Sequence, residues 1–160
     1  KEDELGEPFV GRSGKILDQL LKEANIKVPE GVFFCNLVKC RPPKNRRPTK
    51  TELALAHPWL IQQIKLVEPK IILLEGSTAV ETVLGIKKSI SQLRGNWQNW
   101  NDKLVMPLFH PSYLLRNPSK ADGSPFALTR ADLKKVQKRL HAPELTTDMS
   151  VLAIKRRIKV

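Results

Sequence analysis

Three short apolar segments, separated by helical patterns, are the feature that most limits how this chain can fold. They cover residues 32–38, 71–74 and 104–109, and each has the length of a buried strand. The residues between them repeat apolar side chains every three or four positions, as amphipathic helices do. Strands that alternate with helices form parallel βαβ units. The sequence therefore predicts an α/β fold with three layers, α/β/α, around a short parallel sheet.

Four helices are predicted from their capping residues and apolar periodicity. The clearest start is Thr49 with Glu52 three residues later, which is the spacing of a capping box. The apolar pattern of this helix continues until Glu68 and Pro69, which end it. The predicted helices follow Gly14, Thr49, Gly76 and Thr129, and the last one covers residues 130–140.

Ligands of open parallel sheets bind beyond the carboxyl ends of the strands, and two polar segments are expected there. These segments cover residues 35–47 and 109–118, and the first contains Asn36. An Asn at the end of a strand presents one acceptor and two donors in one plane, which suits the edge of uracil: its oxygen accepts from N3–H and its nitrogen donates to O4. Cytosine would leave these groups unpaired, at about 1–3 kcal/mol per group. The alternative is a capping Asn before a solvated loop.

Basic residues follow Asn36 in a proline-rich loop, and basic side chains suit phosphates. The second polar segment contains His110, whose neutral ring can donate to an oxyanion that develops on a pyrimidine O2. A lone histidine is more often structural, but two leucines and an arginine follow this one, and either leucine would wedge into the base stack. The candidate DNA contacts are Arg41, Lys44, Arg46, Arg47, Ser112, Tyr113, Leu114, Leu115 and Arg116.

The charge balance favours a polyanionic partner. Lys and Arg number 28 against 16 Asp and Glu, which gives a net charge of +12 and suits DNA, RNA or an anionic membrane surface. No apolar run approaches the roughly 20 residues that cross a bilayer, so no membrane span is predicted. The two cysteines, Cys35 and Cys40, are too few for a disulfide framework and predict reduced thiols in an intracellular, reducing compartment.

Three longer motifs resemble the family 4 uracil-DNA glycosylases of the uracil-DNA glycosylase superfamily. They read GEPFVGRSG from Gly6, NLVKCRPPKNRRP from Asn36 and FHPSYLLRNPS from Phe109. The resemblance covers residues 1–140 and is closest to cyanobacterial members, which raises a plastid or another organelle as the location. It implies that the enzyme flips uracil out of DNA and hydrolyses its N-glycosidic bond in base-excision repair.

The resemblance also implies roles for individual residues. Phe9 would stack on the uracil ring, although from the residues alone it is better explained as a buried loop phenylalanine. Asn36 would read the uracil edge, and His110 would stabilise charge on O2 while water attacks the sugar. Glu2 matches the acid of the family's Glu-Asp pair, close to C5 of uracil, where the methyl group of thymine must be excluded. No metal is needed for this chemistry.

The chain departs from the family at its first motif. Members open with a strand inside the sheet and a GExPG loop before the Glu-Asp pair, whereas here Glu2 and Asp3 stand without them. Inner strands that lack this neighbour would have unpaired backbone groups. We expect either that the protein continues upstream or that another segment, residues 150–160, fills the gap. Residues 1–143 are otherwise expected to form the glycosylase-like domain, and residues 144–160 a basic extension that binds a protein or nucleic acid.

The second departure concerns an iron–sulfur cluster. Family members hold a four-iron, four-sulfur cluster on four cysteines, of which two would lie upstream of Lys1 and the third matches Cys40. The fourth aligns with Ala56, which cannot ligate iron, and the neighbouring His57 points about 100° away around a helix. Because such clusters normally take four thiolates, no cluster or other metal is expected, and Cys35 is expected in the core.

The leading prediction is therefore a uracil-DNA glycosylase. The alternative is a catalytically inactive, glycosylase-like structural subunit of a large nucleic-acid assembly, such as an organellar ribosome or polymerase, with RNA or DNA as its partner. The absent loop, Ala56 and the basic tail favour this alternative. Asn36 and His110, which such a subunit would not need, favour the enzyme.

Overall fold

The computed structural model describes residues 11–28, 30–40, 42–142 and 151–155. Its helices are α1 (Arg12–Glu23), α2 (Lys50–Val67), α3 (Ser77–Leu84), α4 (Ile90–Leu93), α5 (Pro111–Arg116) and α6 (Pro125–Leu140). Its strands are β1 (Val32–Asn36), β2 (Ile71–Glu75), β3 (Gln98–Trp100), β4 (Lys103–Leu108) and β5 (Val151–Lys155). The strands form one sheet in the order β1-β5-β2-β4-β3, which is parallel except between β3 and β4. The predicted α/β fold is confirmed.

Two apolar layers lie on opposite faces of the sheet. In β2, Ile71 and Leu73 belong to a core cluster with residues of α1 and α6, while Ile72 and Leu74 belong to a second cluster with residues of α2 and α3. This alternation follows from the strand geometry, in which successive side chains point to opposite faces. The sheet is therefore covered on both sides, as three layers require. No helix in the described part of the chain is long and apolar enough to cross a membrane.

The centre of the sheet is occupied by β5. It pairs in parallel with β1 on one side and with β2 on the other, and the side chains of its first four residues are at most 1% exposed. The C-terminal segment therefore supplies an inner strand of the sheet in this structure. Within the expected extension, residues 144–160, the five described residues thus lie inside the sheet, because a run of apolar side chains is buried there on both faces.

Side-chain caps mark the starts of α2 and α6. The predicted start of the first helix after Gly14 is wrong, because α1 begins at Arg12 and Gly14 lies inside it. The capping box of α2 is present, since the Thr49 side chain accepts from the Glu52 backbone and the Glu52 side chain accepts from the Thr49 backbone. The predicted start of α6 after Thr129 is wrong. Ser124 caps this helix by accepting from Ala127 N, and the Thr129 hydroxyl donates to a carbonyl inside the first turn.

The antiparallel strand β3 is absent from the sequence prediction. It pairs with β4 through a tight turn at Asn101 and Asp102, which both have positive φ angles, 47° and 62°. Asn and Asp tolerate this conformation better than other residues with a side chain. The turn therefore has a signal in the sequence, but the strand is only three residues long.

Candidate active site

Two strands of the sheet, separated by β5, each end in a polar residue, and the two polar side chains lie on the same face. Asn36 ends β1 and Glu75 ends β2, and both are in register with the backbone of Lys155 in β5 between them. Their alternate neighbours along each strand, which include Val32 and Leu73, pack in the layer of α1 and α6. Asn36 and Glu75 therefore face this layer, with backbones about 10 Å apart across two sheet spacings.

His110 lies at the same edge of the sheet, two residues beyond the end of β4. It caps α5, and its ring Nδ1 accepts a hydrogen bond from the Ser112 backbone N–H at 3.1 Å. The Ser112 hydroxyl is also 2.7 Å from Nδ1. Because a backbone amide can only donate, Nδ1 is the unprotonated nitrogen, and a neutral His110 carries its proton on Nε2. The ring is thus held as an Nε2–H donor, as an oxyanion role requires.

A cavity of about 310 Å³ opens beside His110. Glu75 at the end of β2 lines it, and so do Ile90 and Ser91 at the start of α4. Five of the predicted catalytic or DNA-contact residues line this cavity together: Arg47, His110, Ser112, Tyr113 and Arg116. The structure therefore brings together the loop that follows β1 and the segment that follows β4.

Asn36 is not among the residues that line this cavity. It stays at the adjacent end of β1, where its Oδ1 atom is buried without a hydrogen-bond partner in the part of the chain that the structure describes. A buried acceptor without a partner is costly, by about 1–3 kcal/mol, unless a ligand or water satisfies it. The Asn36 Oδ1 atom is thus an acceptor whose hydrogen-bonding capacity the described residues leave unused.

Gly76 allows the close approach of β2 to His110. Its φ angle is +88°, and a Cβ atom built on it would lie 3.0 Å from the His110 Cβ. Its N–H donates to the Leu108 carbonyl at 2.9 Å, which fixes the turn that follows β2 against the end of β4. A residue with a side chain would strain the backbone and push the histidine away.

Lys39 anchors the turn that follows β1. Its Nζ donates to the Asn36 carbonyl at 2.8 Å and also to the Gln63 side chain on α2. Burial lowers the pKa of Lys39. The ammonium group fixes the backbone of Asn36, and sequence reasoning missed it, although the spacing Asn-x-x-Lys is visible in the second motif.

The structure changes two of the predicted DNA contacts. Leu114 is only 1% exposed and packs in the core, so it cannot act as the wedge; Leu115 is partly exposed and remains the candidate. Ser112 is also buried, at 4% exposed, and its hydroxyl contacts His110 instead of facing solvent where a phosphate would lie. Tyr113 remains at the surface beside Phe109, with the ring centroids 5.1 Å apart.

The predicted phosphate ligands of the proline-rich loop are exposed. Arg46 pairs with Glu52 at 2.7 Å and Arg47 pairs with Glu81 at 2.8 Å, and surface pairs of this kind are weak enough to open for a phosphate. Lys44 is also exposed. Three candidates, Glu2, Phe9 and Arg41, lie outside the described residues.

The residues present do not fit a four-thiolate cluster. Cys40 and Ala56 line one cavity of about 500 Å³, as expected if both match cluster-ligand positions, but Ala56 has no ligand atom. Cys35 is not among the residues that line this cavity; it is buried in the core cluster with residues of α2 and α3. Burial raises the pKa of Cys35 to about 12, Glu75 raises it further, and Lys39 lowers it. His57 lines a different cavity between α2 and α3. Among the described residues no group of three or more His, Cys, Asp or Glu is placed to hold a metal.

Comparison with known proteins identifies relatives over most of the chain. The Uracil DNA glycosylase superfamily profile matches residues 1–134. A type-4 uracil-DNA glycosylase of Thermotoga maritima is 49% identical over 121 residues, which are 74% of this chain and 62% of the relative. Those of Saccharolobus solfataricus and Sulfurisphaera tokodaii are 36% and 34% identical over 92% and 91% of this chain, and the matches cover 69% and 68% of their lengths.

The chain thus spans slightly more than two thirds of the length of the two archaeal relatives and less than two thirds of the length of the Thermotoga protein. The profile match includes all three motifs. It also includes Asn36 and His110, which lie at the carboxyl ends of β1 and β4. The fold, with helices on both sides of a mostly parallel sheet, agrees with this match. The chain belongs to the type-4 family of the uracil-DNA glycosylase superfamily.

Proposed function

We propose that this protein hydrolyses the N-glycosidic bond of uracil in DNA and so acts in base-excision repair. The observation that supports this most strongly is a pair of groups at one edge of the sheet. One is the buried Asn36 Oδ1, which has no partner among the described residues, and the other is the His110 ring, whose Nδ1 accepts from a backbone amide. Uracil offers an N–H donor to the first and a carbonyl acceptor to the second.

Asn36 is proposed to select the base. Its Oδ1 accepts from N3–H of uracil, and its Nδ2 donates to O4. Cytosine has an acceptor at N3 and a donor at N4. It would therefore leave the Asn36 Oδ1 atom unpaired and place its own N4–H donor against the Nδ2–H donor of Asn36. Lys39, which donates to the Asn36 carbonyl, fixes the backbone from which this side chain projects. A site built to bond one polar edge rejects the opposite pattern strongly.

His110 is proposed to stabilise the leaving group. When the bond between N1 and C1′ breaks, negative charge spreads over uracil to O2, and the Nε2–H of His110 donates to this oxygen. Ser112 keeps the ring in this orientation through its backbone and hydroxyl. Arg47 and Arg116, at the rim of the same cavity, would hold phosphates on the two sides of the flipped nucleotide.

Base flipping suits this arrangement because the pocket lies at a sheet edge, where an intact duplex cannot place a base. Leu115 is proposed as the residue that fills the vacated space. The chemistry needs no metal, and the chain is proposed to work without an iron–sulfur cluster because Ala56 stands at a ligand position. An inactive structural subunit is not favoured, since the three relatives described above are named as uracil-DNA glycosylases.

The experiment is release of free uracil from a single-stranded oligonucleotide with one uracil. We expect the wild-type protein to release it, and Asn36→Ala and His110→Ala each to lower the rate about 100-fold or more. Two matched controls, Asn99→Ala and His141→Ala, change exposed residues away from the carboxyl ends of the parallel strands and should keep the wild-type rate.

The same preparation should contain no stoichiometric iron while it is active. Absence of uracil release from folded wild-type protein would contradict the proposed function. Equal rates in all four variants would show that release, if seen, does not depend on the two groups at the sheet edge.

A further inference from the structure

The carboxylate of Glu75 has no role in the chemistry given so far, although its position is unusual. It is 1% exposed and follows four buried apolar residues at the end of β2. Of the carboxylates in the described part of the chain, only Glu75 and Asp132 are fully buried. Asp132 is bound by Arg94 on both of its oxygens, as in a structural ion pair. Burial of a carboxylate is costly, and carboxylates buried in clefts are often catalytic.

We propose that Glu75 is the base that takes a proton from the attacking water when uracil is released. The inference rests on the proposed glycosylase function and adds a residue to it. In the family that this chain resembles, the acids lie in the Glu-Asp pair, which Glu2 and Asp3 match, and in the GExPG loop before that pair. Glu75 lies on a different strand, at the edge of the cavity that His110 also lines.

The geometry places Glu75 on the side of the base where the sugar must be. Glu75 pairs with Leu108 across β2 and β4, and His110 follows two residues after Leu108. In uracil, N1 is bonded to C2, which carries O2, so the sugar carbon C1′ lies next to the oxygen that His110 contacts. Asn36 holds the opposite part of the ring, N3 and O4. The bond to be broken therefore lies towards His110 and Glu75, and away from Asn36.

The proposed step balances as follows. The bond between C1′ and N1 breaks, and its electron pair leaves with uracil, whose charge is stabilised at O2 by the His110 N–H. The water oxygen forms a bond to C1′, and one of its protons passes to the Glu75 carboxylate. The products are the uracil anion, a sugar with a hydroxyl on C1′ and a protonated Glu75. This proton then passes to solvent or to uracil, which restores the carboxylate.

The test compares Glu75→Gln with Glu68→Gln in single-turnover uracil release over a range of pH. Glu68 is exposed and precedes β2, so its replacement makes the same change of charge near the opposite end of the same strand. We expect Glu75→Gln to lower the rate about 100-fold or more, the contribution typical of a general base, and Glu68→Gln to leave it unchanged. The affinity for uracil-containing DNA should stay within about threefold, because a base acts in the reaction and not in binding.

The pH profile distinguishes a base from a structural carboxylate. The wild-type rate should fall at low pH as the base becomes protonated, and this acidic limb should be absent in Glu75→Gln. Glu75→Asp keeps a carboxylate with one methylene less, so it should be slower but should retain the limb. This variant also decides the question if Glu75→Gln does not fold.

A rate of Glu75→Gln within about threefold of the wild type would overturn the role of Glu75. So would a slow variant that keeps the acidic limb, or one whose DNA affinity falls in proportion to its rate. In each of these cases wild-type release still supports the proposed function. Failure of the wild-type protein to release uracil would instead overturn the proposed function.

Discussion

At the scale of the residue, a single backbone amide determines which nitrogen of His110 is a donor. The Ser112 N–H donates to Nδ1, so the proton of the neutral ring is on Nε2. A protonated ring would lose this bond, because both nitrogens would then be donors. The backbone amide thus fixes the tautomer of the neutral ring, which presents an N–H donor at Nε2.

The position of this ring depends on Gly76, and the substitution Gly76→Ala tests that dependence. The φ angle of +88° with ψ of 164° is almost confined to glycine, and the new Cβ would lie 3.0 Å from the His110 Cβ. We expect uracil release to fall by about tenfold to a hundredfold, because a displacement of the order of 1 Å at a catalytic group has effects of this size.

The matched control is Gly85→Ala, which also has a positive φ angle, +70°, but no atom within 4 Å of the new Cβ. It should lower the melting temperature through backbone strain and leave the rate of uracil release unchanged. If both variants release uracil at the wild-type rate, close packing of Gly76 against His110 has no part in the activity.

The residues of the site differ in how far the sequence revealed them. Asn36 and His110 were predictable because each has a distinctive hydrogen-bonding side chain, within the apolar segment 32–38 for Asn36 and directly after the segment 104–109 for His110. Glu75 was not, because the predicted strand ended one residue earlier and a glutamate there reads as a solvated loop residue. Leu114 was wrongly considered exposed, since which of two adjacent leucines faces the core depends on the short helix α5.

At the scale of the element, β5 is the strand whose place in the sheet the sequence determines least. It has parallel neighbours on both sides, so its backbone groups are paired in both directions, and the side chains of its first four residues are buried on both faces. A strand buried on both faces needs a continuous apolar run, and residues 151–154 supply one. The sequence therefore allowed this strand but did not determine its place, since apolar segments pair with any open strand edge.

The substitution Ala153→Asp tests whether β5 is part of the folded core. Ala153 is fully buried in the layer of α1 and α6, so an unpaired carboxylate there should destabilise the protein by about 4 kcal/mol or more. Thermal unfolding followed by circular dichroism measures the effect. The control Leu66→Asp, on the exposed face of α2 and 85% exposed, should change the melting temperature little. A melting temperature of Ala153→Asp equal to that of the control would exclude β5 from the core.

The elements with regular periodicity were predicted well, and those set by local turns were not. The capping box placed the start of α2 correctly. The start of α6 was misplaced because Ser124 and Thr129 are both suitable caps, and the choice between them depends on the turn at Gly123, where φ is +76°. Three-residue strands such as β3 are too short to produce a reliable alternation.

At the scale of the whole molecule, the parallel sheet brings together residues that are distant in the sequence. Asn36, Glu75 and His110 follow or end three different strands, and their common edge results from the shared direction of those strands. In the proposed function, the net charge of +12 favours association with DNA, and the few groups at the carboxyl ends of the strands select the base. The proposal thus assigns affinity and specificity to different parts of the surface.

The most direct test of this account is a titration with free uracil followed by NMR of ¹⁵N-labelled protein. The side-chain amide of Asn36 and the ring nitrogens of His110 should shift together along one saturation curve, and cytosine at the same concentrations should shift neither. If only one of the two groups responds to uracil, or if they saturate at different concentrations while the protein releases uracil, Asn36 and His110 do not act on the same base.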